Sequence, residues 1–252
     1  MAAPQQLPRP HQADPDRGRL AGRLPVAAVD TLPTGLQEVT VGGQVAALVY
    51  VPAMPASVPR QLVVVLHGAA GAPRHAIDLL LGQADAAGLL LLAPASHGAS
   101  WDLVTGGYGP DVDRIDRCMT VVSQRYTIDP DTAAVAGFSD GASYALSLGV
   151  ANGDVFRSVI AFSPGFLAPK LRIGQPRFFI SHGQSDPVLP VERCARRIVP
   201  ALRQGGYEVV YQEFVGGHEV PARIVERATN WLVGDRAPVG TRSLRRPAPR
   251  RR

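Results

Sequence analysis

The chain has 252 residues, 46% of them hydrophobic, which is enough for one α/β domain with a sizeable buried core. No apolar run approaches the roughly 18–20 residues that a membrane-spanning helix needs, so we predict no transmembrane segment. The net charge of +5 comes from the C-terminal residues 236–252, whose arginines leave a body that is close to neutral. The near-neutral charge of the rest of the chain argues against specific nucleic-acid binding outside the tail. We expect a disordered tail, with contact to nucleic acid or anionic lipid as the alternative.

Residues 1–34 contain six prolines and few large apolar side chains, which predicts a disordered or loosely attached leader. The leader lacks the basic segment followed by an apolar stretch that marks a secretory signal, and we therefore expect a cytoplasmic location. In a reducing compartment Cys118 and Cys194 are expected to be free, buried thiols.

Two apolar segments, residues 36–41 and 44–51, flank Gly42-Gly43 and predict a β-hairpin. Strand-like apolar runs then alternate with helix-like segments, which predicts one domain, residues 35–235, with a mainly parallel sheet and helices on both faces. The predicted strands are 61–66, 89–95, 132–138, 157–162, 177–181 and 208–214, and the predicted helices are 75–87, 111–126, 142–151, 191–204 and 221–232. Pro200 is expected to kink or split the fourth helix, since it has no backbone donor. Ligands of such sheets bind at the carboxyl ends of the strands.

The segment Gly137-Phe138-Ser139-Asp140-Gly141 has the form G-x-S-x-G, which is typical of a nucleophilic serine on a sharp strand-to-helix turn. Side chains at the two glycine positions would collide with the neighbouring strand and helix. Chance alone supplies the pattern in about one chain in eight of this composition, so a structural turn is the alternative. An apolar run before Ser139 and a small-residue helix after it favour the catalytic interpretation.

A serine nucleophile needs backbone donors for the oxyanion that forms on its substrate. One donor is expected to be the N–H of Asp140, the residue after the nucleophile. The loop after strand 61–66 reads His67-Gly68-Ala69-Ala70-Gly71, and its small residues permit close approach to a ligand. We predict the N–H of Ala69 as the second donor, with an ordinary glycine-rich turn as the alternative.

Where such a turn serves catalysis, an acid and then a histidine follow the serine along the chain. Of the six histidines, His218 lies between strand 208–214 and the last helix, the position that a general base requires. Asp186 follows strand 177–181 and is predicted to orient the imidazole of His218. His67 and His182 are expected to be structural, whereas His97 lies on a loop that is a candidate for the pocket wall.

The connection between strands 157–162 and 177–181 is only about 14 residues long, which leaves no room for a cap domain. The longer wall of the site is predicted to be residues 96–110, with Trp101 and Tyr108 as candidate pocket residues. Trp101 either stacks against the substrate or anchors its own loop, and the sequence favours neither. Nothing in the sequence specifies the length of the acyl group.

Residues 60–234 resemble the phospholipase/carboxylesterase branch of the α/β-hydrolases and the related poly(3-hydroxybutyrate)-depolymerase-like esterases. The resemblance is carried by V-V-L-H-G, by the aspartate-containing helix after Gly107-Tyr108-Gly109-Pro110-Asp111, and by G-F-S-D-G, H-G-x-x-D-x-x-x-P and G-G-H. It implies the α/β-hydrolase fold with eight strands or slightly fewer. It also implies hydrolysis of carboxylic esters without metal or cofactor, by Ser139, Asp186 and His218.

We therefore expect a serine carboxylic-ester hydrolase that acts on a small-molecule ester through an acyl-enzyme. Thioesterase, lysophospholipase, peptidase or acyltransferase chemistry on the same three residues is an alternative. A non-catalytic binding protein of the same fold is another alternative. The sequence does not indicate an oligomeric state.

Overall fold

The computed structural model describes residues 13–22, 24, 33–55 and 58–234. The strands are β1 Gly35–Val41, β2 Gln44–Val51, β3 Gln61–Leu66, β4 Leu89–Pro94, β5 Ala134–Phe138, β6 Ser158–Phe162, β7 Arg177–Gly183 and β8 Val209–Phe214. The helices are α1 Pro73–Ala87, α2 Asp102–Thr105, α3 Pro110–Arg125, α4 Asp140–Ala151, α5 Ala195–Gln204 and α6 Ala222–Val233, and a short 3-10 helix spans Pro15–Arg17. Every strand and longer helix expected from the sequence is present within a few residues. The sequence did not indicate α2 or the 3-10 helix.

The eight strands of the described chain form one sheet in the order β1-β2-β4-β3-β5-β6-β7-β8. Strand β2 pairs antiparallel with both β1 and β4, and all the other pairs are parallel. The hairpin turn uses Gly42 and Gly43 at φ 59° and 80°, a conformation that glycine adopts at little cost. The prediction of a mainly parallel sheet is confirmed.

The two faces of the sheet are covered by different helices. Strands β3 and β4 are buried along their whole length, as expected for parallel strands with apolar layers on both sides. Helices α3, α4 and α5 pack on one face, and α1 and α6 pack on the other. Residues 163–176, which join β6 to β7, contain no helix or strand, so no cap domain lies over the strand ends.

Pro200 lies inside α5, which runs without a break from Ala195 to Gln204, so the prediction of a split helix is wrong. The proline is on the exposed side, while Ile198, Val199 and Leu202 pack into the core. Their burial stabilises the helix against the loss of one backbone hydrogen bond. Cys118 and Cys194 are both buried and free.

Part of the leader packs against the domain, which differs from the loosely attached segment that was expected. Leu20 is fully buried, and its N–H donates to Oδ1 of Asn152 at 2.9 Å. Arg19 pairs with Asp154 at the C-terminal end of α4, with an Nη1–Oδ1 distance of 2.7 Å. The predictions for the arginine-rich tail and for the other leader residues fall outside the described residues. Only residues 13–22, 24 and 33–34 of the leader are described. In the described chain, no helix combines the length and apolar character needed to cross a membrane.

Candidate active site

Ser139 lies at the turn between β5 and α4 in the sharp conformation that the glycine pattern predicted. Its φ of 57° and ψ of −118° belong to a region that side chains rarely occupy. A Cβ on Gly137 would collide with the carbonyl of Gly141, and a Cβ on Gly141 would collide with the carbonyl of Leu66. Only glycine fits at these two positions, and the turn therefore raises the Ser139 hydroxyl above the end of the sheet.

The structure brings Ser139, His218 and Asp186 together at the carboxyl ends of the strands. Nε2 of His218 lies 2.9 Å from Oγ of Ser139, and Nδ1 of His218 lies 2.7 Å from Oδ2 of Asp186. The imidazole also packs on the ring of Phe138, with the ring centroids 4.7 Å apart. These are distances at which a histidine transfers a proton from a serine while a carboxylate fixes its orientation.

The carboxylate of Asp186 is buried and held on both oxygens. Its Oδ1 accepts hydrogen bonds from the N–H groups of Val188 and Leu189, at 2.9 and 2.8 Å. Burial on its own would raise the pKa of Asp186. Hydrogen bonds from Leu189, His218 and Val188 outweigh burial, and the pKa is lowered from its ordinary value of 3.8. Asp186 is therefore ionised at neutral pH.

The loop after β3 lies beside Ser139, since a Cβ on Gly68 would be 3.4 Å from that of Ser139. The carbonyl of Gly68 accepts from the N–H of Gly71 at 3.0 Å and lies 2.8 Å from Nδ1 of His67. Because the carbonyl and N–H of one trans peptide point in opposite directions, the N–H of Ala69 faces away from these partners. Within the described residues, neither this N–H nor that of Asp140 has a hydrogen-bond acceptor.

Trp101 and Tyr108, the candidate pocket residues, are both in the core. Trp101 is fully buried, stacks between His67 and Tyr144, and donates from Nε1 to the carbonyl of His67 at 2.8 Å. Tyr108 is nearly buried against Tyr144 and lies under Gly18 of the leader. The prediction that they line a pocket is wrong for this reason, and the anchoring alternative for Trp101 describes its position.

The loop of residues 96–110 is organised by two aspartates. Oδ2 of Asp111 accepts from the N–H of Asp102 at 2.8 Å, and Oδ2 of Asp102 accepts from the N–H of Asp111 at 2.9 Å. His97 is half-exposed, and its Nε2 lies 3.2 Å from Nη2 of Arg114. Ser100 donates to Oδ2 of Asp140 at 2.6 Å, which ties this loop to the start of α4.

Two further serines on α4 support the site, and sequence reasoning missed them. Oγ of Ser143 accepts from the N–H of Gly165 at 2.8 Å, and Oγ of Ser147 accepts from the N–H of Ala168 at 3.0 Å. Both hydroxyls are buried, and they hold the β6–β7 connection against the helix that follows Ser139. The signal was the spacing of four residues from Ser139, which places all three serines on one side of the helix.

Comparison with known proteins gives a consistent assignment. Residues 116–233 match the family described as "Putative esterase". No curated protein sequence matches the chain. Three solved structures with the same fold are a phospholipase/carboxylesterase from Dyadobacter fermentans, the carboxylesterase of Bacillus cereus, and a substrate-bound fluorophosphonate-binding serine hydrolase, FphF, from Staphylococcus aureus.

The likeness to these three structures is in fold rather than in sequence. The D. fermentans protein is 24% identical, with 73% of this chain and 95% of that chain covered and a TM-score of 0.54. The B. cereus enzyme is 16% identical, with coverages of 74% and 92% and a TM-score of 0.59. The S. aureus protein is 15% identical, with coverages of 79% and 98% and a TM-score of 0.65. These comparisons show that the chain has the α/β-hydrolase fold and that residues 116–233 resemble the esterase family.

Proposed function

We propose that the protein hydrolyses carboxylic esters through a covalent acyl-enzyme, with Ser139 as the nucleophile, His218 as the general base and Asp186 as its orienting acid. The observation that carries the proposal is the position of one imidazole, 2.9 Å from Ser139 Oγ and 2.7 Å from Asp186 Oδ2. Nδ1 of His218 faces a carboxylate, so Nδ1 carries the proton and Nε2 is free to accept one.

In the proposed reaction, Oγ of Ser139 attacks the ester carbonyl carbon while Nε2 of His218 takes its proton. The oxyanion accepts hydrogen bonds from the N–H groups of Ala69 and Asp140, and the positive end of the α4 dipole adds to them. His218 then protonates the departing alcohol. Water attacks the acyl-enzyme by the same steps, which releases the carboxylic acid and restores Ser139.

The open strand ends and the exposed valines on nearby loops favour an ester with an apolar acyl or alcohol group, either small or extended in shape. No cap domain encloses the strand ends. Val188 and Val215, on the loops that carry Asp186 and His218, are 62% and 82% exposed. Exposed apolar side chains on the two loops that carry Asp186 and His218 favour apolar substrates over charged ones.

The decisive experiment compares Ser139→Ala with the parent protein on p-nitrophenyl esters from acetate to palmitate, beside a thioester and a lysophospholipid. We expect kcat to fall by about 10⁴–10⁶. A fluorophosphonate should add one adduct to the parent and none to Ser139→Ala. Ser123→Ala is the matched control, because Ser123 is a buried serine of α3 that donates only within its own helix. Near-normal ester hydrolysis by Ser139→Ala would overturn the proposal.

The same panel separates the related activities. Preference for the thioester at equal acyl length would identify a thioesterase, and preference for the lysophospholipid would identify a lysophospholipase. A competing alcohol that diverts product from acid to new ester would identify acyl transfer. An inactive parent protein that also fails to react with the fluorophosphonate would favour a binding protein of the same fold.

A further inference from the structure

His182, a histidine of β7, contacts both ends of the turn that carries Asp186. Its Nε2 lies 2.7 Å from the carbonyl oxygen of Leu189 and 3.3 Å from Oδ2 of Asp186. The side chain is fully buried. His182 does not contact Ser139 and has no part in the proton transfer from Ser139 to His218.

The partners of His182 define its protonation. A carbonyl and a carboxylate oxygen only accept hydrogen bonds, so Nε2 must carry the proton. Nδ1 is then a bare lone pair, and no described residue forms a hydrogen bond with it. Burial lowers the pKa of His182, and the titratable groups that face it are Asp186, His218 and Glu213. The imidazole therefore stays neutral at neutral pH, donates to the carbonyl of Leu189 and leaves the charge of Asp186 uncancelled.

The contacts of His182 connect the turn to the sheet. The N–H of Leu189 donates to Oδ1 of Asp186, and the carbonyl of the same residue accepts from His182. Asp186 is thus fixed to its own turn at Oδ1, while His182 fixes that turn to strand β7 and lies beside Oδ2. Oδ2 is the oxygen that meets His218.

We propose that His182 is a positioning residue for catalysis, which keeps Oδ2 of Asp186 aimed at His218 by donating from Nε2 to the carbonyl of Leu189 and so fixing the turn that carries Asp186. The inference rests on the proposed roles of Ser139, His218 and Asp186. Loss of this donor lets the carboxylate and its turn shift, and displacements of about 1 Å in such an arrangement cost roughly 10²-fold in rate. We expect KM to be unaffected, because His182 is buried behind Asp186 and does not contact Ser139.

Three substitutions at one position test the idea. His182→Phe keeps a planar ring and removes the donor. His182→Gln places an amide N–H near the position of Nε2, whereas His182→Asn places it near Nδ1, which has no partner in the described chain. The two amides are alike in chemistry and differ mainly in where the donor lies, so each is a control for the other.

On p-nitrophenyl butyrate we expect His182→Phe to lower kcat by about 10–100-fold with KM within about twofold of the parent. His182→Gln should recover most of the lost kcat, and His182→Asn should not. The thermal midpoint and the fraction of protein that reacts with a fluorophosphonate correct each value for unfolded protein. In an Asp186→Asn background, His182→Phe should cause little further loss, because a residue that acts through Asp186 is not additive with it.

Any of three results would overturn the inference: a parental kcat in His182→Phe, equal recovery by Asn and Gln, or an undiminished effect in the Asp186→Asn background. These results are distinct from failure of the proposed function. If Ser139→Ala remains active, the assignment of the nucleophile is wrong. If Ser139→Ala is inactive and His182→Phe is normal, only the positioning role is wrong.

Discussion

Nε2 of His67 accepts a hydrogen bond from the N–H of Ser96 at 3.2 Å, so a single imidazole joins the loop after β3 to the loop after β4. The acceptor role of Nε2 places the proton on Nδ1, which donates to the carbonyl of Gly68. His67 is thus held as the neutral tautomer opposite to that of His182. Both rings are buried, and burial lowers the pKa of each.

These two histidines predict how stability depends on pH. The folded protein resists protonation of His67 and His182, whereas the unfolded chain takes up protons near the ordinary histidine pKa of 6.5. Their contribution to stability is therefore complete above about 6.5 and is lost as the pH falls below it. We expect the free energy of unfolding in urea to decrease steadily between pH 7 and pH 5.

A substitution isolates the contribution of His67 to this slope. His67→Gln should make the decrease between pH 7 and pH 5 shallower, because one group that resists protonation is gone. His75→Gln is the control, since His75 is an exposed residue in the first turn of α1. An unchanged slope in His67→Gln would show that the neutral imidazole of His67 does not govern acid stability.

Removing a single backbone donor tests the oxyanion role of Ala69. Proline at this position has no N–H, and we expect Ala69→Pro to lower kcat by about 10²–10³ with a smaller effect on KM. Ala69→Gly keeps the donor and should remain within about threefold of the parent. Circular dichroism and fluorophosphonate labelling verify that Ala69→Pro is folded. Equal activity of the glycine and proline variants would exclude this N–H as a donor.

The sequence predicted the parts of the site that depend on local rules. The glycines two positions before and after Ser139 predict the sharp turn at which Ser139 has a positive φ. Asp186 and His218 each follow a strand that its run of apolar residues predicts. The site forms because parallel strands bring their carboxyl ends to one edge. Order along the chain was therefore enough to predict that these three side chains lie together.

Trp101, Tyr108 and the leader could not be predicted in the same way, because their positions depend on residues far away in sequence. Tyr108 is covered by Gly18, which lies 90 residues earlier, and no periodicity indicates such a contact. Proline content predicts a leader without a core of its own. It does not predict that Leu20 packs into the hydrophobic core of the domain.

Leu189 is predicted to limit the size of the acyl group. Its side chain is partly exposed and packs against Gly165, where an added Cβ would lie 3.2 Å from Cδ2 of Leu189. Leu189→Ala should raise kcat/KM for long p-nitrophenyl esters relative to butyrate by about tenfold, the lower end of the effect of one methylene in an apolar pocket. Gly165→Ala should shift preference toward shorter esters.

The control for this prediction is Val45→Ala, at a valine near the start of β2 that is 54% exposed. It should leave the order of preference unchanged. Parallel changes for all chain lengths in Leu189→Ala would mean that Leu189 affects the turn at Asp186 rather than the acyl group. A change in kcat/KM that depends on chain length is the result that supports a role in specificity.

The leader segment of residues 13–22 is predicted to stabilise the domain without a role in chemistry. Leu20 is fully buried in the core, and Leu20→Ala should lower the free energy of unfolding by about 2–5 kcal/mol. Leu36→Ala, at a leucine that is 43% exposed on β1, should cost less than about 1 kcal/mol. Urea denaturation at pH 7.5 measures both.

The catalytic constants of the Leu20→Ala protein show whether residues 13–22 have only a structural role or also a role in catalysis. The segment contacts α3, the end of α4, Tyr108 and Lys170, whose Nζ donates to the carbonyl of Asp16 at 2.9 Å. None of the contacts involves Ser139, His218 or Asp186. We therefore expect kcat and KM per folded molecule to match the parent at a temperature well below the thermal midpoint. A change in KM at full folding would instead mean that this segment shapes the substrate site through the β6–β7 connection that carries Lys170.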